Sequence, residues 1–305
     1  MLVRMGFKFF FVAVFAGYAV LLLGMLSYRR FRRKPSREVL ASRASQANRA
    51  TDQPLVEVIN VKKSFDHPVL RGVSLQVHRG ETIGVLGKSG TGKSVLLKLI
   101  AGFLRPDSGM ILYKGRETSQ LDEDELLEFR KQVSYVFQGG AFFDFLNVWE
   151  NVAYPLREQG VSDEDLIRER VEYLLDAVEL ERLGEMRYDE LSAGAKKQVA
   201  IARAIANNPE VILYDEPTTG VDPIIGKALS RLIKKLDQHE TLTSIVVTHD
   251  LKCLEIVSDR LILLHSGLVH FSGTVEEFYE STDPFVRAFR EGTRFTEASS
   301  PLPAA

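Results

Sequence analysis

The sequence predicts an α/β fold with a doubly wound, mostly parallel sheet. Three observations support this prediction. Apolar segments that read as buried strands alternate with segments of helical periodicity, including 81–86, 210–215 and 244–248. A glycine-rich loop joins the first of these strands to a helix. Of the 305 residues, 45% are hydrophobic and 26% are charged, proportions that exclude a wholly disordered chain.

The charge of the chain is divided unevenly between its N-terminus and the rest. The first fifty residues contain ten Lys or Arg and one acid, whereas the remainder contains 29 basic and 40 acidic residues. This pattern indicates a basic arm attached to an acidic globular body. Because polyanion binding requires a basic surface, the acidic body argues against nucleic acid as a partner. The single cysteine, Cys253, excludes a disulfide framework and is predicted to be a small buried residue.

An uncharged segment of twenty residues, 9–28, lies within the basic arm. A helix of this length spans about 30 Å, the thickness of the hydrocarbon core of a bilayer. Five basic residues follow at 29–34, and such flanks stay on the cytoplasmic side. We therefore predict a transmembrane helix in the inner membrane, with the body on the cytoplasmic side. Two alternatives stay open: a cleaved signal peptide, and translation that begins near Met25.

A phosphate-binding pattern occupies the glycine-rich loop. Residues 87–94 read GKSGTGKS, which matches G-x-x-x-x-G-K-[ST] between a strand and a helix. Glycines let the backbone N–H groups approach phosphate oxygens, and the N-terminus of the helix points to the same place. The lysine would supply positive charge and the final serine a ligand for Mg²⁺. The predicted nucleotide-binding residues are Gly87, Lys88, Ser89, Gly90, Thr91, Gly92, Lys93 and Ser94.

Two carboxylates, Asp215 and Glu216, end the apolar strand at 210–216. Alone, such a pair is usually a solvated strand end or a helix cap. With a phosphate loop upstream, the pair predicts chemistry on a nucleotide. We expect Asp215 to orient Mg²⁺ and Glu216 to act as the general base for a water that attacks the γ-phosphate.

Together these motifs make the sequence resemble the ATP-binding subunits of ABC transporters, from about residue 55 to about residue 292. The motifs follow the order of that family: GKSGTGKS, YVFQGG, LSAGA, ILYDEP, TTGVDP and VVTHD. The resemblance implies a P-loop nucleotide-binding domain with an inserted helical subdomain. It also implies ATP and Mg²⁺ as cofactors, ATP hydrolysis as the activity, and a dimer of two copies with ATP between them.

The resemblance also assigns roles to single residues around the nucleotide. Phe65 is similar to the aromatic residue that stacks on adenine, although it could instead pack a hairpin. Gln138 is similar to the loop glutamine that contacts Mg²⁺ and senses the transport partner. His249 is similar to the switch histidine at the γ-phosphate. Alternatively, it could be an ordinary histidine at the end of a strand.

Two further segments are implied to act on the opposite subunit. The segment at 191–195, with Ser192 and Gly194, is similar to the signature that closes over the γ-phosphate of the partner, and Asp222 is similar to an aspartate at the dimer contact. Ala193 departs from the family because a glycine is usual there. We favour a helix at 194–207 capped by Ser192, with Ala193 in a helical conformation and therefore harmless. The alternative is a position that needs φ > 0, where alanine would cost about 1 kcal/mol or more and weaken the site.

A second departure is Gln198, which stands where the family usually has arginine. The expected domain organisation is a membrane anchor with its basic flank at 1–34, a linker at 35–53 and an ATPase domain at 54–292. The helical subdomain is expected at about 119–188, and a flexible tail at 293–305. A helix at 224–236 is expected to line one face with apolar residues.

A finer resemblance points to the ATPases of Mla/Mce lipid-transport systems. It rests on the segments 137–158 and 283–292. The implied partners are an integral-membrane permease, an MCE-domain protein and often a STAS-domain protein. The implied cargo is phospholipid or another apolar molecule. The alternative is the ATPase of an importer for a polar solute. A soluble protein of DNA repair or translation is disfavoured because the chain has one P-loop, no CxxC and no heptad run.

The apolar composition of the segment 141–149 has two interpretations. Its side chains could pack the core of the helical subdomain, or they could line a groove for a cytoplasmic helix of the permease. The residues concerned are Ala141, Phe142, Phe143, Phe145, Val148 and Trp149.

Overall fold

The computed structural model of the protein describes residues 53–292. The predicted membrane helix at 9–28, most of the predicted linker and the tail at 293–305 lie outside the described residues. Within 53–292, no helix combines the length and apolar character needed to cross a bilayer.

The described part of the chain alternates strands and helices and forms two sheets. The strands are β1 Val56–Ser64, β2 Pro68–Val77, β3 Thr82–Leu86, β4 Ser108–Tyr113, β5 Arg116–Glu117, β6 Val133–Val136, β7 Val211–Asp215, β8 Thr243–Val247, β9 Arg260–His265 and β10 Leu268–Thr274. The α-helices are α1 Lys93–Ile100, α2 Glu123–Gln132, α3 Val148–Glu158, α4 Glu164–Ala177, α5 Ala193–Ile205, α6 Pro223–Glu240, α7 Leu251–Val257, α8 Val275–Glu280 and α9 Pro284–Arg290.

The larger sheet has the order β10-β9-β3-β8-β7-β6 and is parallel except for the β9–β10 pair. Every residue of β3, β7 and β8 is buried, so these strands read as continuous apolar runs. The prediction of a parallel α/β sheet is therefore confirmed. Because parallel strands end at a common edge, the loops after β3, β6, β7 and β8 meet there.

The smaller sheet is antiparallel, in the order β2-β1-β4-β5. Its apolar residues, among them Val58, Val61 and Leu70, share a core with Leu96 and Ile100 of α1. The sequence LVEVINV at residues 55–61 is typical of a strand, but it does not indicate the sheet around β1. Alternating burial along β1 and β2 gives a weaker apolar pattern than the fully buried strands do.

The predicted helical subdomain, about 119–188, contains a strand of the main sheet. The strand β6 pairs in parallel with β7, from Val133 opposite Val211 to Val136 opposite Tyr214. It has four residues, and only its two ends are buried, so its sequence, VSYV, gives no clear strand signal. The helical part that packs with α5 consists of α3 and α4, which begin at the caps Asn147 and Asp163.

Helix α6 is longer than predicted, and its first turn departs from the predicted apolar face. Leu229, Ile233 and Leu236 are buried as expected, whereas Ile224 is 80% exposed and Ile225 is 40% exposed. The two isoleucines follow the cap Asp222 at the exposed start of the helix. The apolar spacing was therefore correct for the helix, but it did not show where the core ends.

A buried carboxylate near the other end of α6 makes the fold sensitive to pH. Asp237 is 6% exposed and accepts hydrogen bonds from Thr82 Oγ1 at 2.9 Å and Ser244 Oγ at 2.8 Å. Burial raises its pKa from 3.8 to about 6, although the two hydrogen bonds act in the opposite direction. The protonated form therefore stabilises the fold at low pH, and this contribution is lost as the pH rises through about 6.

We expect Asp237→Asn to increase the free energy of unfolding at pH 7.5 by up to about 3 kcal/mol and to change it little at pH 4. The amide resembles the protonated acid, and the hydroxyls of Thr82 and Ser244 can rotate to accept from it. Chemical denaturation at both pH values measures this difference. Asp165→Asn is the control, because that side chain is 92% exposed. A lower free energy of unfolding for Asp237→Asn than for the parent at pH 7.5 contradicts the inference that the buried, ionised Asp237 destabilises the fold.

Candidate functional site: a phosphate loop and carboxylates at the sheet edge

The loop after β3 turns around the lysine that begins α1. Gly90 and Gly92 have φ of 81° and 96°, which side chains with a Cβ rarely adopt. Lys93 is 7% exposed, and its Nζ donates to the carbonyl oxygens of Gly87 at 2.9 Å and Lys88 at 3.2 Å. Burial lowers the pKa of Lys93, against the opposing charges of Glu216 and Asp215. The loop thus holds a cation at the N-terminus of a helix, where an anion is favoured.

A hydroxyl and a carboxylate lie together beside this lysine. Ser94 Oγ donates to Asp215 Oδ1 at 2.8 Å, and Tyr135 Oη donates to Asp215 Oδ2 at 2.7 Å. Mg²⁺ is usually held by one or two carboxylates together with substrate phosphates, so this pair fits that ion. Within 53–292, no group of three or more His, Cys, Asp or Glu side chains could hold a metal alone. Phosphate oxygens of a nucleotide and water could supply further ligands to an ion bound here.

Glu216 follows β7 and is surrounded by donors. Its Oε2 accepts from Thr219 Oγ1 and Thr248 Oγ1, each at 2.9 Å, and lies 2.9 Å from His249 Nδ1. Its Oε1 lies 3.9 Å from Lys93 Nζ. Burial raises the pKa of Glu216, but the hydrogen bonds from His249 and the two threonines outweigh it, so the pKa is lowered. Glu216 is therefore ionised at neutral pH and can accept a proton.

The side chains of Gln138 and Phe65 remain open to solvent. Gln138 is exposed in the loop after β6, and its main-chain oxygen accepts from Lys197 Nζ at 2.7 Å. Phe65 follows β1 and is 56% exposed, with Lys63 Nζ 5.6 Å from its ring centre. The exposed ring leaves a face on which a planar group can stack. Lys88 and Ser89 are exposed in the phosphate loop, where Lys88 O also accepts from Thr91 Oγ1 at 2.9 Å.

The signature segment starts a helix as predicted. Ser192 caps α5, with its Oγ accepting from Ala195 N at 3.2 Å, and Ala193 is the first helical residue, exposed to solvent. A Cβ on Gly194 would lie 2.8 Å from Ile225 Cγ2, so a larger residue would require the Ile225 side chain of α6 to shift. The predictions of the cap and of a helical Ala193 are confirmed. The unusual Gln198 donates to Val178 O at 2.8 Å, at the end of α4.

The signature and the aspartate before α6 do not join the phosphate loop of their own chain. Asp222 caps α6 by accepting from Ile224 N at 2.8 Å. Among the hydrogen bonds of residues 53–292, none connects Ser192, Gly194 or Asp222 to residues 87–94. The other predicted site residues, apart from the exposed Phe65 and Gln138, gather at the edge of the main sheet.

Because Ala193 is helical and exposed, we expect Ala193→Gly to change ATP turnover by less than about threefold. The glycine would instead weaken the helix by about 1 kcal/mol. The check compares ATP turnover of the purified parent and variant at saturating ATP, together with their melting temperatures. If ATP turnover is about tenfold or more higher in the variant, a change of about 1.4 kcal/mol in the barrier, then the methyl group of Ala193 slows hydrolysis in the parent.

Four contact residues of the site were not predicted from the sequence: Thr219, Thr248, Tyr135 and Lys197. The two threonines hold Glu216, and both lie inside segments used for the prediction, TTGVDP and VVTHD. Their hydroxyls next to the catalytic motifs were an available signal. Lys197 Nζ lies between Gln138 O and Glu216 O, at 2.7 and 3.4 Å, and burial lowers its pKa.

The apolar segment 141–149 is only partly packed into the core, and the groove interpretation stays a prediction. Val148 is buried, and Phe142 and Trp149 pack against the main core, whereas Phe145 is 71% exposed. The loop between them is held by Asn151, which accepts from Phe143 N at 3.0 Å. The Nδ2 atom of Asn151 also lies within 3.2 Å of three main-chain oxygens that its two N–H groups can share, those of Phe143, Leu146 and Asn147. The loop therefore presents Phe145 on a fixed backbone.

Comparison with known proteins agrees with this geometry. The family model described as ABC transporter matches residues 70–219. The chain is 40% identical over 242 residues to the intermembrane phospholipid transport system ATP-binding protein MlaF of Haemophilus influenzae, covering 79% of this chain and 92% of that protein. It is also 40% identical over 229 residues to the spermidine/putrescine import ATP-binding protein PotA of Legionella pneumophila, covering 75% of this chain and 61% of that protein.

A solved structure shares the fold. The ATP-binding cassette MJ0796, in a dimeric post-hydrolysis state bound to ADP and phosphate, has a TM-score of 0.67 and 34% identity, covering 72% of this chain and 98% of that one. Family, fold and the phosphate loop with its carboxylates lead to the same conclusion. The chain belongs to the ABC transporter family, as an ATP-binding subunit that hydrolyses ATP.

Proposed function

We propose that the protein is the ATPase of an ABC transporter of the Mla/Mce type, which moves phospholipid or another apolar molecule. The observation that carries this proposal is the 40% identity to MlaF across 92% of that protein. Identity to the polyamine importer ATPase PotA is equal but extends over only 61% of that protein. The similarity to MlaF therefore extends over nearly all of that relative, whereas more than a third of PotA lies outside the match.

Different residues of the site would bind the phosphates, the base and the Mg²⁺ of an ATP molecule. The N–H groups of 87–94 and the ammonium of Lys93 would bind the phosphates, and Phe65 would stack on the base. Ser94 and Asp215 would hold Mg²⁺, with Gln138 reaching the ion when nucleotide is bound. The ion would neutralise phosphate charge. The 2.8 Å contact between Ser94 and Asp215 and the charge of Lys93 support the roles proposed for these three residues.

Hydrolysis would depend on Glu216. Its carboxylate is ionised and fixed by Thr219 and Thr248, so it can orient a water molecule and accept its proton. His249 is 64% exposed beside it and could contact both Glu216 and a terminal phosphate. Lys93 would bind phosphate oxygens, while Glu216 would activate the water that attacks the γ-phosphate.

A second copy of the chain would complete the site. Ser192, Gly194 and Asp222 start helices α5 and α6 without hydrogen bonds to residues 87–94 of the same described chain. The N-terminus of α5 is exposed at Ser192 and Ala193, and a helix N-terminus favours an anion. We propose that it binds the γ-phosphate held by the partner, in a dimer of the kind seen for MJ0796.

The remaining partners are proposed from the exposed loop and from the N-terminal sequence. Phe145, 71% exposed on a loop fixed by Asn151, is a candidate contact for an integral-membrane permease. An MCE-domain protein and a STAS-domain protein would complete the assembly. We place the ATPase domain on the cytoplasmic side of the inner membrane, with residues 9–28 as an anchor.

The test is affinity purification of the full chain from detergent-solubilised membranes, followed by identification of its partners. We expect a polytopic permease and an MCE-domain protein. Phe145→Asp should lose the permease while retaining ATP binding, and Leu166→Asp is the control because Leu166 is 50% exposed on α4. Capture of a periplasmic solute-binding protein in place of an MCE-domain protein would overturn the lipid proposal in favour of a polar-solute importer.

A further inference from the structure

The carboxylate of Asp215 has a second partner that the proposed function does not use. Tyr135 lies on β6, whose neighbour in the sheet is β7, the strand that ends at Asp215. Its phenol donates to Asp215 Oδ2 at 2.7 Å, while Ser94 donates to Oδ1 at 2.8 Å. The two oxygens of one carboxylate are therefore fixed by donors from different elements, so that rotation of the carboxylate is restricted.

The ring of Tyr135 is itself held in place. Its centre lies 4.4 Å from that of Phe137 and 5.5 Å from that of Phe103, and these two phenylalanine rings stack at 6.0 Å with an angle of 6°. The guanidinium of Arg130 lies 5.8 Å from the Phe103 ring centre. Phe103 follows helix α1, which starts in the phosphate loop, and Phe137 precedes Gln138. The aromatic cluster of Phe103, Tyr135 and Phe137 thus adjoins both segments around the nucleotide.

We propose that Tyr135 is a positioning residue for the magnesium site, which sets the orientation of Asp215 through its hydrogen bond to Oδ2. This inference rests on the proposed function, because it takes Asp215 as part of that site. Groups that hydrogen-bond to a metal-binding carboxylate orient it, and their loss commonly reduces metal affinity by about 10- to 100-fold. Mg²⁺ keeps phosphate and water ligands in such sites, so we expect an effect near the lower limit.

Tyr113, the last residue of β4, provides a matched control because its hydrogen bond is made at the other end of β7. Its phenol donates to Glu210 Oε2 at 2.9 Å, and its ring packs 5.2 Å from Phe129. Glu210 precedes β7 and Asp215 ends it, so the two tyrosines make equivalent bonds at opposite ends of one strand. Both tyrosines are partly buried. Tyr113→Phe and Tyr135→Phe therefore remove the same kind of bond, but only one of them is at the site.

The experiment measures the Mg²⁺ concentration for half-maximal ATP hydrolysis in the full-length protein. We expect a rise of about tenfold in Tyr135→Phe and less than about twofold in Tyr113→Phe. Two further measurements do not depend on turnover. ATP binding in EDTA should be unchanged in Tyr135→Phe. The affinity of the ATP-bound protein for Mn²⁺, measured by electron paramagnetic resonance, should fall by about the factor by which the Mg²⁺ midpoint rises. Phe137→Leu keeps the phenol but loosens its ring, and it should give a smaller rise.

A Mg²⁺ midpoint that shifts no more in Tyr135→Phe than in Tyr113→Phe overturns the proposal, as does an unchanged affinity for Mn²⁺. If Tyr135→Phe proves unstable by its melting temperature, an unchanged midpoint in Phe137→Leu overturns it in the same way. Failure of the parent protein to bind ATP in EDTA would count against the phosphate site itself. The outcomes for Tyr135 and for the proposed function are thus separate.

Discussion

Glu216→Gln is expected to abolish most ATP hydrolysis while preserving ATP binding. The amide keeps the size of the carboxylate but cannot accept a proton, and loss of a general base costs about 10²- to 10⁴-fold in rate. Because the change removes a negative charge 3.9 Å from Lys93 Nζ, ATP affinity should stay equal or increase. The trapped nucleotide should also hold two copies together. Phosphate release measures turnover, and size-exclusion chromatography with ATP detects the dimer.

Glu210→Gln is the control for this variant, because Glu210 precedes the strand that Glu216 follows. Glu210 binds Tyr113 and Lys114 away from the phosphate loop, so its loss should leave turnover close to that of the parent. Hydrolysis by Glu216→Gln at the parent rate would show that Glu216 is not the base. Loss of activity in both variants to the same extent would indicate a defect of the sheet instead of the site.

Lys93→Ala should weaken ATP binding by about 100-fold or more. Hydrogen bonds to charged groups contribute about 1.5–3 kcal/mol each, and each 1.4 kcal/mol is about tenfold in affinity. The lysine also donates to Gly87 O and Lys88 O, so its removal loosens the loop before any nucleotide binds. Binding of a fluorescent ATP analogue gives the affinity, and thermal melting reports the loss of loop support.

Lys98→Ala is the matched control for the lysine, since Lys98 is exposed on the same helix, α1. It removes one positive charge without touching the loop, so a general effect of charge would appear in both variants. An affinity within about threefold of the parent in Lys93→Ala would contradict the role of the lysine in phosphate binding.

Much of the site could be predicted because its residues belong to short motifs at strand ends. The phosphate loop, the pair Asp215 and Glu216, and His249 each follow an apolar run, and parallel strands bring their carboxyl ends to one edge. The local pattern was sufficient there. The cap of α5 by Ser192 and the helical Ala193 were likewise predictable from neighbouring residues alone.

The contacts that were not predicted depend on strand order. Tyr135 and Asp215 are 80 residues apart in sequence and meet only because β6 lies beside β7. No local sequence pattern shows that these two strands are neighbours, and the four residues of β6 are too few to give a clear strand signal. The exposed Ile224 is a similar case, because helical periodicity gives the face of a helix but not the limit of the core beneath it.

The link between helix α5 and the loop after β6 has a consequence for how this protein can vary. Lys197 and Arg203 of α5 reach the loop through the main-chain oxygens of Gln138 and Ala141. A carbonyl oxygen is present whatever side chain the residue carries, so substitutions at either loop position leave both bonds available. Ala141 has φ of 48°, so glycine or asparagine would also suit that position. The outer surface of this loop can therefore diverge between relatives without disconnecting it from the helix that carries the signature.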